Sequence, residues 1–187
     1  MKNDNYLGGY TPHWWEAAKK ARKLTHEYNT IDPWNIKRRD EIIKELFGSI
    51  GEKFVIEPPF HCDCGHNIHI GERFYANYNV QMLDGAKITI GDHVLVGPNV
   101  VFACSSHIIH PEIRRGENMG IKDEPITIGN DVWIGANVVI CMGVTIGDGS
   151  IIGAGSVVTK DIPPMSIAAG TPCKVIRPIV DEDRNRW

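Results

Sequence analysis

The sequence predicts a mainly β chain wound as a left-handed parallel β-helix, with a helical cap before the coil and one loop projecting from it. Two observations carry this expectation. Large aliphatic residues return every six positions through the later part of the chain, and Gly, Asn or Asp clusters just after them. A helix repeats near 3.6 residues and a half-buried strand near two, so a beat of six fits neither. It does fit short strands joined by turns, with each side of the coil directing one aliphatic inward.

The cap comes first. "PHWWEAAKKARKLTHEYN" begins with Pro12 and continues in strong helix formers, and "NIKRRDEIIKELFGS" is a second amphipathic stretch ending at Gly48. A cap segment over residues 1–52 and a coil domain over 53–187 follow. In the coil, Ile128, Ile134, Ile140, Ile146, Ile152 and Val158 form one column. Ile126, Val132, Val138, Val144, Ser150 and Ser156 form a second, two residues earlier. Gly129-Asn130, Gly135, Gly147-Asp148 and Gly153 follow the aliphatics, where turns with positive φ are expected.

The same register runs earlier through Ile90, Val96 and Phe102, and more weakly through Ile70, Ala76 and Met82. Two interruptions break it: about two extra residues near Asp84-Gly85, and a long gap over residues 103–125. A coil buries its core only by stacking, so the longer excursion must leave the stack as a surface loop. Long loops in compact domains are usually functional. After the coil, "DIPPMSIAAGTPCKVIRPI" loses the beat and gains prolines, as a closing segment does.

A net charge of -3 without a long basic block suggests neither a nucleic acid nor an anionic membrane as partner. No apolar run reaches bilayer length and "MKNDNYLGGYTPHWW" lacks a signal-peptide core, so a cytoplasmic location is expected. Five cysteines without an export signal are expected as thiols. The stretch "HCDCGHNIH", residues 61–69, raises the question of zinc. On a strand Cys62 and Cys64 share one face while Asp63 takes the other, so four ligands do not converge from a single extended run. Small buried thiols are the reading adopted, and no metal is expected.

At "ARKLTHEYN", "EPPFHCDCGHNIHIGERFYANYN", "ITIGNDVWIG", "GVTIGDGSIIGAGSVVTKDIPP" and "AAGTPCKVIR" the chain resembles the hexapeptide-repeat acyltransferases, and among them the maltose and galactoside O-acetyltransferases. The resemblance spans nearly the whole chain. It implies a homotrimer with acetyl-CoA as co-substrate in a groove between neighbouring coils, and a small sugar as acceptor. Such a ring repeats one heterologous interface three times.

Acetyl transfer to a hydroxyl needs a base, because a neutral alcohol is a weak nucleophile near pH 7. Histidine, ordinarily titrating near 6.5, suits that task. The loop "ACSSHIIHPEIRRGEN" offers His107 and His110, and the resemblance places the base at His107. It also puts Asn77 of "FYANYN" in the catalytic and acceptor pocket, where its amide would donate to the tetrahedral oxyanion. An asparagine at a coil corner can instead serve only as a left-handed turn residue. Asp63 falls by resemblance in the acceptor pocket and Tyr75 beside it. Glu117 would assist from the loop, with Glu112 and Glu124 competing for that role.

For the donor, Trp133, Ala136, Ala154, Thr159, Lys160, Lys174 and Arg177 match coenzyme-contacting positions of the family. Small residues at 136 and 154 would admit the pantetheine arm, and the three basic residues would meet the phosphates. No cysteine or serine lies beside the base in the family's pattern, so direct transfer is expected. The alternatives weighed are a γ-type carbonic anhydrase, which shares the trimeric coil but needs three zinc-bound histidines, and a non-catalytic structural trimer. One departure stands out: "NYLGGYTPHWW" puts Gly8 or Gly9 where maltose-type relatives carry an acidic residue, and Trp14 and Trp15 follow it.

Overall fold

A computed structural model describes residues 11–115 and 120–185. Helix α1, Pro12–Thr30, starts where Thr11 accepts a hydrogen bond from the Trp14 amide at 3.1 Å, and Pro12 occupies the first turn, where no amide is needed. Its buried residues Ala18, Ala21, Leu24, Thr25 and Tyr28 recur at helical spacing. Helix α2, Ile36–Leu46, buries Arg39, Ile42, Ile43 and Leu46. It ends before Gly48. That glycine serves close packing, because a Cβ there would meet the His66 carbonyl oxygen at 2.4 Å.

Arg39 fastens the cap to the coil. Its buried guanidinium lies over the Tyr28 ring at 4.7 Å and donates to the Tyr28 hydroxyl at 2.9 Å and the Ile56 carbonyl at 2.7 Å. The Tyr28 hydroxyl donates to the same carbonyl. A charged group that far from water needs such partners.

The coil has three faces. The first stacks Phe54–Ile56, Phe74–Ala76, Leu95–Val96, Trp133–Ile134, Ile151–Ile152 and Ser166–Gly170 in parallel, and Cys173–Pro178 then turns back antiparallel on the last of these. The second stacks Phe60–Cys62, Val80–Leu83, Val101–Ala103, Val139–Cys141 and Val157–Val158. The third stacks Ile68–Ile70, Ile88–Ile90, Ile126–Ile128 and Thr145–Ile146. Leu95 pairs directly with Trp133, Val101 with Val139 and Ile88 with Ile126, so the coil closes over the base of the long loop without a break. The architecture is the expected left-handed parallel β-helix with a helical N-terminal cap. Among the described residues no helix is long and apolar enough to cross a membrane.

Both predicted columns point inward. Ile128 through Val158 and Ile126 through Val144 are all buried, and each large aliphatic buried in this way contributes roughly 1.5–3 kcal/mol. Ser150 and Ser156 sit in the same column, also buried. Ser150 donates to the Pro163 carbonyl at 2.9 Å, and Ser156 to the Gly153 carbonyl at 2.5 Å. Both hydroxyls also accept amides of the closing strand, from Ser166 at 3.3 Å and Gly170 at 3.0 Å. The polar core positions thus dock the segment that ends the coil.

The corners correct one expectation. Gly129, Gly135, Gly147 and Gly153 do not have positive φ; that conformation falls two residues later, at Asp131, Asn137, Gly149 and Gly155. The glycines after the aliphatics are there for close approach. A Cβ on Gly129 would lie 2.2 Å from Asp148 Oδ1 and 2.7 Å from its amide nitrogen. Asp148 Oδ1 accepts the Asn130 amide at 2.7 Å, Asn130 Oδ1 the Asp92 amide at 2.8 Å, and Asp92 Oδ1 the Glu72 amide at 2.8 Å. Each coil caps the one before it. Gly129→Ala should therefore cost about 1–3 kcal/mol through overpacking, read as a lower denaturation midpoint.

Candidate active site

Two groups of residues emerge, at different corners of the prism. The first lines a cavity of about 470 Å³ on the first face, formed by Tyr75, Asn77, Leu95, Trp133, Ala136 and Ala154 with neighbouring backbone. Strand register places Val55, Tyr75, Leu95, Trp133, Ile151 and Ile167 in one outward column. On the third face the equivalent column is His69, Thr89, Thr127 and Thr145. The first face is thus apolar where the third is polar. Gly135 and Gly153 keep the cavity floor shallow, and Ala136 and Ala154 leave backbone accessible at its rim.

Asn77 is not the turn residue of its corner. Positive φ belongs to Asn79, whose amide donates to Asn99 at 3.1 Å, as Asn99 does to Asn137 at 3.0 Å. Asn77 instead accepts the Tyr78 amide on Oδ1 at 2.8 Å, which fixes the side chain and leaves its NH2 group as the donor end. The remaining donor-side candidates are more dispersed. Lys174 and Arg177 lie on the return strand at the end of the first face, where Lys174 is exposed and Arg177 pairs with Asp183 at 2.6 and 2.8 Å. Thr159 and Lys160 are exposed just after the last strand of the second face, one corner away from Ala136 and Ala154.

The second group sits between the second and third faces. There the long loop leaves as a hairpin, Ser105–His107 against Ile121–Asp123, with His107 opposite Ile121 and Ser105 opposite Asp123. A short helix, α3, Pro111–Arg114, follows, with His110 as its N-cap residue. Glu117, like Gly8 and Gly9, lies outside the described residues. Glu112 is exposed beside Arg115, and Glu124 pairs with Lys122 at 2.5 Å. His107 is not among the residues lining the first-face cavity. A three-residue strand spans about 10 Å, and one such side separates its corner from that of Asn77.

Asp63 occupies the same corner as the hairpin. Burial pushes its carboxyl above the usual range, Arg22 of α1 opposes this, and Asp123 adds to it. Two residues here escaped sequence reading, Asp84 and Asp123. Asp84 is wholly buried, accepting the amides of Asp63 at 3.0 Å and Cys64 at 2.8 Å on Oδ1. Burial raises its carboxyl to about 6, against the opposing Cys64 amide and helped by the charge of Asp63. The two-residue interruption near Asp84-Gly85 was the available signal. Asp123 had none, because hairpin pairing alone brings it there.

The strand ends at Cys62, so Cys62 and Cys64 do not share a strand face. Among the described residues no group of three or more His, Cys, Asp or Glu side chains is placed to hold a metal ion. All five cysteines are unpaired. Burial raises the Cys62 thiol well above its ordinary value and pushes Cys64 and Cys104 to about 12, with Asp84 adding to all three shifts.

Residues 125–160 match the bacterial transferase hexapeptide model of six repeats, and residues 4–51 the maltose acetyltransferase hexapeptide capping motif. Galactoside O-acetyltransferase of Escherichia coli K12 is 49% identical over 172 residues, covering 92% of this chain and 84% of that protein. The chain belongs to the galactoside and maltose O-acetyltransferase family of hexapeptide-repeat acyltransferases. It superposes on a galactoside acetyltransferase in complex with coenzyme A with a TM-score of 0.92, at 47% identity, covering 95% of this chain and 88% of that one. A Vibrio cholerae hexapeptide-repeat acetyltransferase complexed with acetyl coenzyme A gives a TM-score of 0.87 at 42% identity, covering 92% of each chain. The chain is accordingly an acyltransferase. Membership in this family displaces the zinc-anhydrase alternative.

The thiols yield a prediction that matters for any assay reading coenzyme A release. In the native protein at pH 8, Cys62, Cys64 and Cys104 should resist iodoacetamide, because the thiolate is the nucleophile and none is populated there. Mass spectrometry of the labelled chain checks this, and full labelling only after unfolding is the expected outcome.

Proposed function

We propose that the protein transfers the acetyl group of acetyl-CoA directly to a sugar hydroxyl, of glucose, maltose or galactoside type, in a site that two protomers of a homotrimer complete. One observation carries this reading: the His107 hairpin and the Asn77 cavity leave the same chain from different corners. A neighbour's hairpin laid along the cavity would join them. Both surfaces suit the contact, since Val55, Leu95 and Trp133 on the first face are 49%, 48% and 48% exposed, and Ile109 on the loop is 91% exposed. Contiguous exposed apolar surface of this kind marks an interaction face.

In that arrangement the neutral His107 imidazole takes the acceptor's hydroxyl proton as the oxygen attacks the thioester carbonyl carbon. The negative charge that develops on the carbonyl oxygen is met by the Asn77 NH2 and nearby backbone amides. Collapse expels the coenzyme A thiolate, which receives the proton from the imidazolium. Asp63 and Tyr75 would bind sugar hydroxyls, with Glu117 assisting from the loop. Ala136 and Ala154 admit the pantetheine arm beside Trp133, while Thr159, Lys160 and Lys174 contact the donor's far end. Arg177 would share its guanidinium between Asp183 and a phosphate. A cytoplasmic setting accords with five unpaired thiols.

His107→Ala should lower turnover by about two to four orders of magnitude and leave acetyl-CoA affinity nearly unchanged by calorimetry. Unaltered turnover would remove the histidine from the chemistry. The shared site has its own test. Chains carrying His107→Ala and chains carrying Asn77→Ala, each inactive alone, should regain about a quarter of wild-type activity when co-assembled in equal amounts. That is the share of ring interfaces joining an intact histidine to an intact asparagine. No recovery would place both residues in one protomer's site.

A further inference from the structure

Asp84 is the buried group that the proposed chemistry leaves unused. It lies at the short interruption of the coil, fully buried. Its Oδ1 gathers the amides of Asp63 and Cys64, its backbone carbonyl accepts Asn67 Nδ2 at 2.8 Å, and its own amide donates to the Met82 carbonyl at 3.0 Å. Its Oδ2 is buried without any hydrogen-bond partner. An orphan carboxylate oxygen costs stability, and the buried positions around it are otherwise filled by small thiols or aliphatics. Two backbone amides alone could be satisfied by an asparagine or by a tighter turn.

The corner that Asp84 holds is the one that presents Asp63. We infer that Asp84 is a positioning residue for the acceptor: by gripping the backbone of residues 63 and 64 it sets the Asp63 carboxylate toward the sugar, and its ionisation tightens that grip. The inference rests on the acetyl-transfer reading, with Asp63 in the acceptor pocket. Hydrogen bonds from amides to an ionised carboxylate are stronger than those to a neutral one. The groups that face Asp84 are Asp63, Cys62 and Cys64 from the corner it caps, and Cys104 from the coil that follows. Asp123 acts on the same cluster from the hairpin through Asp63, Cys64 and Cys104, and Arg22 acts from α1 on Asp63 and Cys64. The three thiols stay neutral, and Asp84 is the member of the cluster that burial raises to about 6, while burial also pushes the Asp63 carboxyl above its usual range.

Burial raises the Asp84 carboxyl to about 6, so the grip is half formed there, nears completion about one pH unit above, and loosens as pH falls through that value. Acceptor KM should rise as pH falls from 7 to 5. Asp84→Asn, which keeps one oxygen for the two amides but never ionises, should show a flatter acceptor KM over that range. Asp63 is present in both proteins, so the difference between the two profiles belongs to Asp84. Asp84→Ala should raise acceptor KM by about tenfold or more, leave the affinity for acetyl-CoA within about twofold, and expose the Asp63 and Cys64 amides to hydrogen exchange. In an Asp63→Ala background, Asp84→Ala should add little further change in acceptor KM, because it acts through Asp63.

Equal rises in both KM values, persistent protection of those amides in Asp84→Ala, or full additivity with Asp63→Ala would overturn the inference. Should Asp84→Ala fail to fold, the Asp84→Asn profile decides: a slope like that of the wild-type enzyme rejects the role. A wild-type enzyme inactive on every hydroxyl acceptor tested would reject the acetyl-transfer reading itself, and this inference with it. An active enzyme whose Asp84 variants keep the wild-type acceptor KM rejects the inference alone.

Discussion

Parallel pairing of each strand with the one a turn away forces every inward side chain to stand over its counterpart, and the rest of the molecule depends on that stacking. Ile128 lies in register with Ile90 below and Ile146 above, and Ile140 with Phe102 and Val158. A column built this way tolerates little change in volume, because the backbone rungs fix the separation of the layers. It also leaves little room at the corners. Side-chain oxygens of Asp92, Asn130 and Asp148 occupy the space where Gly71, Gly91 and Gly129 would carry a Cβ.

That rigidity explains how a long insertion is accommodated. The coil before residue 103 stacks directly on the coil after residue 125, so the ladder is unbroken and the loop is free to serve another surface. A projecting hairpin gives the histidine a reach that no strand of the prism has. The cavity on the first face gains its shape from the opposite property: short strands and small corner residues keep a regular floor on which a long, flexible ligand can lie. Pre-formed walls of this sort reduce the entropy lost on binding.

Among the described residues, buried polar side chains mark three junctions. Arg39 joins the cap to the first strand, Ser150 and Ser156 join the last coil to the closing segment, and Asp84 joins the corner of Asp63 to the coil above it. Arg39 and the serines dock chain ends onto a core that apolar contacts alone would leave unspecific in register. Asp84 differs from them in carrying a carboxylate with one oxygen unpartnered at a corner within the coil, whereas the unpartnered Nε of Arg39 belongs to a guanidinium whose other nitrogens are all directed at the cap and first strand.

The six-residue beat determined the coil, its two inward columns and the base of the projecting loop, because that pattern is a direct image of the rungs, and helix formers after Pro12 determined the two helices that precede the coil. Residue type and family resemblance named the histidine, the asparagine and the small groove residues. Only the tertiary structure decided that positive φ falls on Asp131 and Asn137 while the glycines before them serve close approach, since clearance depends on the next coil rather than on neighbours in sequence. It also gave the turn to Asn79 and the Tyr78 amide to Asn77, committed Arg177 to Asp183, and gathered Asp63, Asp84 and Asp123 at one corner. Those partnerships join residues many positions apart through the pitch of the coil, and a linear pattern of side-chain types carries no record of which corner each one reaches.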